Sequence, residues 1–180
     1  MDFTQSKTFI NIQNATRGEL ISSSKFQIYA IKARSEGYIQ IGDIFDIAAR
    51  NERVHAETFI RRLNDGEIPT TLNNLLESAA DENYDGNDLY RQYAQEARDE
   101  GFVSIGALFD GIANIELNHY LTFQTLADNI QNNEVFCKPQ ETLWICLACG
   151  NIMGNICAPE ICPVCGYPQG YYQLYVPENF

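Results

Sequence analysis

The chain has only two histidines, and each stands three residues after a glutamate, in Glu52-x-x-His55 and Glu116-x-x-His119. On a helix, residues three apart share a face, so each Glu and His can reach one ion. Both pairs sit in runs of helical period. Ile41, Phe45, Ala48, Glu52, His55 and Phe59 step by four, three, four, three, four, and Ile105, Phe109, Ile112, Glu116, His119, Phe123 and Leu126 repeat the spacing 64 residues later. The glutamates thus fall in a seam where core residues are expected. A carboxylate among hydrocarbon is disfavoured unless its charge is compensated. A lone Glu-x-x-His is a weak signal, more often a surface pair than a ligand set. Two of them, at matched places in an apolar seam, predict a metal centre.

A second constellation lies near the C-terminus, in Cys146-x-x-Cys149-Gly150 and Cys162-x-x-Cys165-Gly166, with twelve residues between the inner cysteines. Four thiolates paired this way form a tetrahedral sulfur site. Spacing alone admits iron and zinc equally. Glycine after the second cysteine of each pair suits a tight knuckle whose backbone amides point at sulfur. Cys137 and Cys157 fall outside the pairs and are expected to be free thiols without an assigned role.

Four long helices must position the first set. After a loose lead-in capped at Ser6 or Thr8, helices are predicted over about 8–35, 40–63, 71–101 and 103–132, closed by Gly37, by Asn64-Asp65-Gly66 with Pro69, and by Gly101. Lys32-Ala33-Arg34-Ser35-Glu36-Gly37-Tyr38 is echoed by Glu96-Ala97-Arg98-Asp99-Glu100-Gly101-Phe102. The helices therefore read as two copies of one hairpin. Each copy should add a carboxylate from its first helix: Glu19, at seam spacing from Ile12, Phe26 and Ala33, and Glu82, after Leu75 and Ala79, with Asp85 a turn further on. Glu19 and Glu82 are 63 apart rather than 64, so the third helix carries one extra residue, which predicts a π-bulge near Asp85-Gly86-Asn87.

The expected fold class is an all-α four-helix bundle of ferritin-like type over residues 1–135, followed by a linker and a small four-cysteine metal domain over 136–180. Glu19, Glu52, Glu82 and Glu116 carry four negative charges, which two divalent ions would neutralise. Trp144, Tyr167, Tyr171, Tyr172 and Tyr175 are expected to form most of the small domain's core.

With 45% hydrophobic residues and 12% aromatics the chain can pack a core. A net charge of −12 argues against nucleic acid and anionic membrane surfaces as partners. The N-terminus has no signal-peptide pattern and no stretch has transmembrane length, which reads as cytoplasmic. In that compartment six cysteines mean metal or redox chemistry rather than a disulfide scaffold.

Taken together, Lys32-Ala33-Arg34 through Glu36-Gly37-Tyr38, both Glu-x-x-His helices and the run from Trp144 through Cys165 resemble the rubrerythrin family over the whole chain. The resemblance implies a rubredoxin-like tail domain and a non-haem peroxidase reducing hydrogen peroxide to water. It implies two non-haem iron ions on Glu19, Glu52, His55, Glu82, Glu116 and His119, and one iron, or a substituting zinc, on Cys146, Cys149, Cys162 and Cys165. The family's additional helix-three carboxylate falls on Asp85, where relatives carry Glu; in the family one iron moves between this carboxylate when oxidised and the histidine equivalent to His55 when reduced. Phe26 stands where relatives place a tyrosine. Expected partners are a rubredoxin or an NAD(P)H-dependent reductase as electron donor and a second copy in a head-to-tail homodimer. The alternatives are a ferroxidase or iron-handling protein, and a non-enzymatic metal-binding protein with a structural zinc ribbon.

Overall fold

The computed structural model describes residues 2–177. The chain divides into two compact units that meet at Thr70 and Thr71. The first is a hairpin of α1 (Lys7–Ser35) and α2 (Ile39–Leu63). The second contains α3 (Thr71–Tyr84), a π-helical segment (Asp85–Leu89), α4 (Tyr90–Asp99), α5 (Val103–Gln131) and a three-stranded sheet. The fold class is the expected one: ferritin-like helices followed by a rubredoxin-like four-cysteine domain. No helix among the described residues is long and apolar enough to cross a membrane.

Local chemistry sets the helix ends. The Ser6 hydroxyl oxygen accepts from the Phe9 N–H at 3.1 Å and caps α1. Gly37 and Gly101 take φ of 87° and 88°, which glycine adopts without a Cβ clash. The following Tyr38 and Phe102 N–H groups reach back to the Ala33 and Ala97 carbonyls at 2.9 and 2.7 Å. The repeat therefore ends both first helices in the same way.

Small residues bring the helices of each hairpin together. In α1 the buried positions Thr16, Ser23 and Ala30 recur every seven residues, as do Gly42, Ala49 and Ala56 in α2. The Ser23 hydroxyl donates to the Ala49 carbonyl at 2.8 Å. A Cβ on Gly42 would sit 2.8 Å from Arg34 Cγ, and one on Gly106 would sit 2.9 Å from Arg98 Cγ and from the Ala94 carbonyl oxygen. Arg34 then bonds Asp43 and Asp46 at 2.7 and 2.6 Å, while Arg98 and Arg91 both bond Asp110. This small-residue face lies one position from the Glu/His seam predicted as core. The seam itself is more open: Ile41 is 46% and Ile105 45% exposed. Close helix approach needs small side chains, so glycine and alanine rather than the large apolar residues take the hairpin contact.

The predicted π-bulge is present as Asp85–Leu89. In the helix from Thr71 to Asp99 the buried small residues Ala79, Gly86 and Ala94 are spaced seven and then eight, with Ala97 buried a turn further on. The eighth residue falls in the π segment. Without it, Ala94 would turn about 100° off the face that meets α5.

The small domain orders its strands β2 (Ile152–Cys157), β1 (Cys137–Cys146), β3 (Tyr172–Leu174), all antiparallel. Its core is Trp144, Cys146, Ala158, Cys162 and Tyr172, with Phe136 and Met153 packed against it. Of the aromatics expected there, Trp144 and Tyr172 are buried and Tyr175 is half-buried. Tyr167 and Tyr171 are 45% and 44% exposed and pack edge-on against each other at 4.6 Å. Cysteine side chains, drawn together at the site, take the interior space that tyrosines were expected to fill.

A second correction concerns Cys137 and Cys157, expected as free thiols. They are joined by a disulfide. The register of β1 against β2 places them directly opposite, with Cα atoms 4.0 Å apart.

Candidate metal centres

In the first hairpin, Glu19 comes from α1 and Glu52 and His55 from α2, three residues apart so that both side chains leave the same face. His55 Nδ1 lies 3.0 Å from Glu52 Oε2 and 3.5 Å from Glu19 Oε2. In the second, His119 Nδ1 lies 2.8 Å from Glu116 Oε2 and 3.7 Å from Glu82 Oε2. Within each group one ligand atom per residue lies within 4.8 Å of the others. Ligands held about 2.1 Å from an ion stand about 3.0 Å apart in an octahedron and about 3.4 Å in a tetrahedron. The observed separations suit a cation between the three side chains.

The proton balance of each group points the same way. A hydrogen bond with Glu52 and partial burial raise the Glu19 carboxyl above its ordinary value, and the same bond with Glu19, followed by His55, lowers Glu52. The two carboxylates are thus pushed in opposite directions, as paired acids are when no cation lies between them. His55 is raised, chiefly by its hydrogen bond to Glu52. Glu82 is raised by burial and then by Glu116. Paired carboxylates beside an imidazole hold a cation or hold protons.

Asp85 does not join the group of Glu82, Glu116 and His119. It sits at the start of the π segment, half-buried, and its charge is felt at Tyr90. Tyr90 is absent from the sequence-based set, and its hydroxyl feels the charge of the second group. Burial raises its hydroxyl above the ordinary value, and the charges of Asp85, Glu116 and Glu82 raise it further. The repeat contains a signal for it, since Phe26 lies 64 residues earlier.

In the small domain the four cysteines converge as expected. Sγ of Cys146 lies 3.7 Å from Sγ of Cys165, and Sγ of Cys149 lies 3.8 Å from Sγ of Cys162. A tetrahedron with metal–sulfur bonds of about 2.3 Å has edges of about 3.8 Å. These two edges match such a site, and all four sulfurs lie within 4.8 Å of one another. Gly150 and Gly166, with φ of 76° and 74°, close the two knuckles through N–H bonds to the Cys146 and Cys162 carbonyls at 2.8 and 2.9 Å. The Tyr172 hydroxyl and the N–H groups of Cys165 and Val164 favour the Cys162 thiolate and bring it down to about 6. The Tyr167 N–H favours the Cys165 thiolate too, but burial and the other three sulfurs outweigh it and push Cys165 up to about 12. Four thiolates cannot all stay charged this close without a cation, which is the condition a bound metal removes.

A family model described as rubrerythrin matches residues 11–127. The chain is similar to rubrerythrin-1 of Clostridium acetobutylicum, 37% identical over 97% of this chain and 96% of that one. It is similar to the rubrerythrin of Clostridium perfringens, 36% identical over 94% of each chain. Against the rubrerythrin of Nitratidesulfovibrio vulgaris the identity is 34%, again over 94% of each. With matched Glu/His groups in two helical hairpins and a four-cysteine site in a rubredoxin-like domain, the chain belongs to the rubrerythrin family.

Proposed function

We propose that the chain is a non-haem peroxidase that reduces hydrogen peroxide to water, drawing electrons through iron at the four-cysteine site. One observation carries the reading: two carboxylate–histidine groups of one design and a four-thiolate group occur in the same chain. An iron-oxidising or iron-storing bundle has no use for the thiolate group. Bound at these sites, iron supplies electrons to cleave the O–O bond at the Glu/His groups and single-electron transfer at the thiolates.

The chain's own residues hold, orient and supply protons. Glu19, Glu52 and His55 hold one ion and Glu82, Glu116 and His119 the other, each histidine through Nδ1. Asp85, outside the ligating group and one methylene shorter than glutamate, serves the ion through an intervening water. Tyr90, whose hydroxyl is raised by burial and by the charges of Asp85, Glu116 and Glu82, is the proton donor of the second hairpin. Cys146, Cys149, Cys162 and Cys165 hold the third iron, and the Tyr172 hydroxyl and backbone amides spread the thiolate charge. The working division is residues 1–135 for peroxide and 136–180 for electron entry. The donor is a rubredoxin or an NAD(P)H-dependent reductase, the working form is a head-to-tail homodimer, and the compartment is the cytoplasm.

The test is stopped flow on iron-loaded protein, reduced anaerobically and mixed with one equivalent of hydrogen peroxide. The ferric-thiolate band should return quickly. A band that stays bleached, or recovers only in air, sinks the proposal in favour of iron handling.

A further inference from the structure

The Cys137–Cys157 pair belongs to no metal group: the four remaining cysteines form the thiolate site and these two form a disulfide. We propose that they are a reversible dithiol–disulfide site, closed by a hydroperoxide and reopened by a dithiol, which clasps the root of the small domain.

Placement carries the argument. The two residues are direct register partners at the outer ends of β1 and β2. Their register sets the two sulfurs on facing positions of neighbouring strands, so the bond forms between residues that already pair. Both residues are half-buried, which leaves the sulfurs within reach of a small oxidant and of an attacking thiol.

What the bond holds is also defined. Regular pairing of β1 with β2 runs from Ile145↔Ile152 to Thr142↔Asn155 and then slips before Cys137↔Cys157. Residues 138–141 therefore lack a continuous ladder. Beyond the slip, the strand start is held to the end of β2 by the disulfide and by the Ala158 N–H bond to the Phe136 carbonyl at 2.8 Å. Phe136 packs on the domain core, and Lys138 Nζ reaches Asn129 Oδ1 of α5 at 3.3 Å. The clasp thus lies on the connection between α5 and the sheet.

Chemistry makes the bond a changing one. The neighbouring site needs four thiolates, so the chain must fold where thiols persist. Disulfides in such surroundings are transient and serve catalysis or redox sensing rather than permanent cross-linking.

The step balances without the metal sites. One cysteine gives up its proton and its thiolate attacks a peroxide oxygen, the O–O bond breaks, a sulfenic acid forms, and the leaving hydroxide (alkoxide, from an alkyl hydroperoxide) takes that proton to depart as water or alcohol. The second cysteine likewise gives up its proton, its thiolate attacks that sulfur, the S–O bond breaks as the S–S bond forms, and the leaving hydroxide takes the proton and departs as a second water. Each sulfur gives up one electron and the peroxide gains both. A dithiol reverses the step by exchange and leaves as its own disulfide.

The experiment uses the full chain loaded with zinc, which has no redox chemistry and occupies the metal sites. After dithiothreitol and its removal, alkylation and peptide mass spectrometry should label Cys137 and Cys157. After one equivalent of hydrogen peroxide the labels should vanish, and amide exchange over 136–141 should slow on the order of tenfold while 142–146 stays unchanged. Cys157→Ser should show neither the closure nor the slowing. A disulfide that dithiothreitol leaves intact, or thiols that stay open in excess peroxide, overturns the redox site. Exchange over 136–141 that is indifferent to the bond overturns the clasp.

Discussion

Tyr90 stacks on Phe109 with ring centroids 6.0 Å apart, and Phe26 packs on Phe45 at the same 6.0 Å in the first hairpin. Tyr29 and Tyr93 complete each trio, at 5.7 Å from Phe45 and 5.5 Å from Phe109. The aromatic packing is duplicated, but at this position only the second copy carries a hydroxyl, one that the charges of Asp85, Glu116 and Glu82 raise after burial. Tyr90→Phe keeps the ring and removes that proton. Peroxide turnover should fall by about tenfold to a hundredfold with thermal stability nearly unchanged, since a positioned proton donor contributes on that scale or above. Steady-state peroxide assays and a melting curve decide it, and unchanged turnover would remove Tyr90 from the chemistry.

Glu52→Ala and His119→Ala each remove one candidate ligand from a three-residue group. Either should abolish peroxide turnover and lower metal content at its own hairpin, while the visible iron–thiolate band of the small domain remains. Metal analysis and the spectrum check this together. Normal turnover in either variant would take that residue out of the site.

Metal uptake at the first hairpin should depend on pH. In the metal-free chain the hydrogen bond to Glu52 raises the His55 imidazolium above its ordinary 6.5. Its contribution to folding is fully present below 6.5 and is lost as pH rises through the raised value. An ion must displace that proton, so affinity should strengthen by roughly tenfold per pH unit until the raised value is passed, then level off. Zinc titrations of wild type and His55→Ala separate this from general carboxylate effects. Flat affinity over the window in wild type would contradict the assignment.

Gly86 lies inside the π segment, where an added Cβ would come within 2.8 Å of Leu117 Cγ and 2.9 Å of the Ala113 carbonyl oxygen. Gly86→Ala should cost about 1–3 kcal/mol through overpacking, a drop in melting temperature of several degrees. Gly111 and Gly18 have open space at the same position, so alanine there is the control. A Gly86→Ala protein as stable as wild type would show that α5 can move aside.

Trp144 is the single tryptophan and is fully buried beside Cys146 and Cys162, its Nε1 donating to the Asn155 carbonyl at 3.1 Å. Removing the tail metal leaves four crowded sulfurs without a cation, so the core should loosen and Trp144 emission should move to the red. Cys162→Ser should reproduce the shift without chelator. Emission that ignores chelation would mean the sheet stands without its metal.

Much of this was legible along the chain because it is written in short spacings. Glu-x-x-His places two ligands on one helical face whatever the tertiary fold, and Cys-x-x-Cys-Gly carries its own knuckle, since the turn and the positive φ of Gly150 and Gly166 are local. The π segment was legible too, as an offset of 63 that becomes 64 between Glu82 and Gly101. Tyr90 was within reach of the same reasoning through its partner Phe26, but what raises its hydroxyl is burial first and then charge from Asp85 and Glu116, and Glu116 lies on another helix.

Other features were decided only by packing. Spacing placed the large seam residues in the core, whereas the hairpins close on Thr16, Ser23, Ala30, Gly42, Ala49 and Ala56, because helices approach closely only where side chains are small. Cys137 and Cys157 carry no motif; the register of β1 on β2, set by Thr142 to Ile145 and by the slip beyond them, is what puts one sulfur against the other. Local chemistry named the ligands, while strand register and helix approach, which depend on residues far apart in the chain, chose their neighbours.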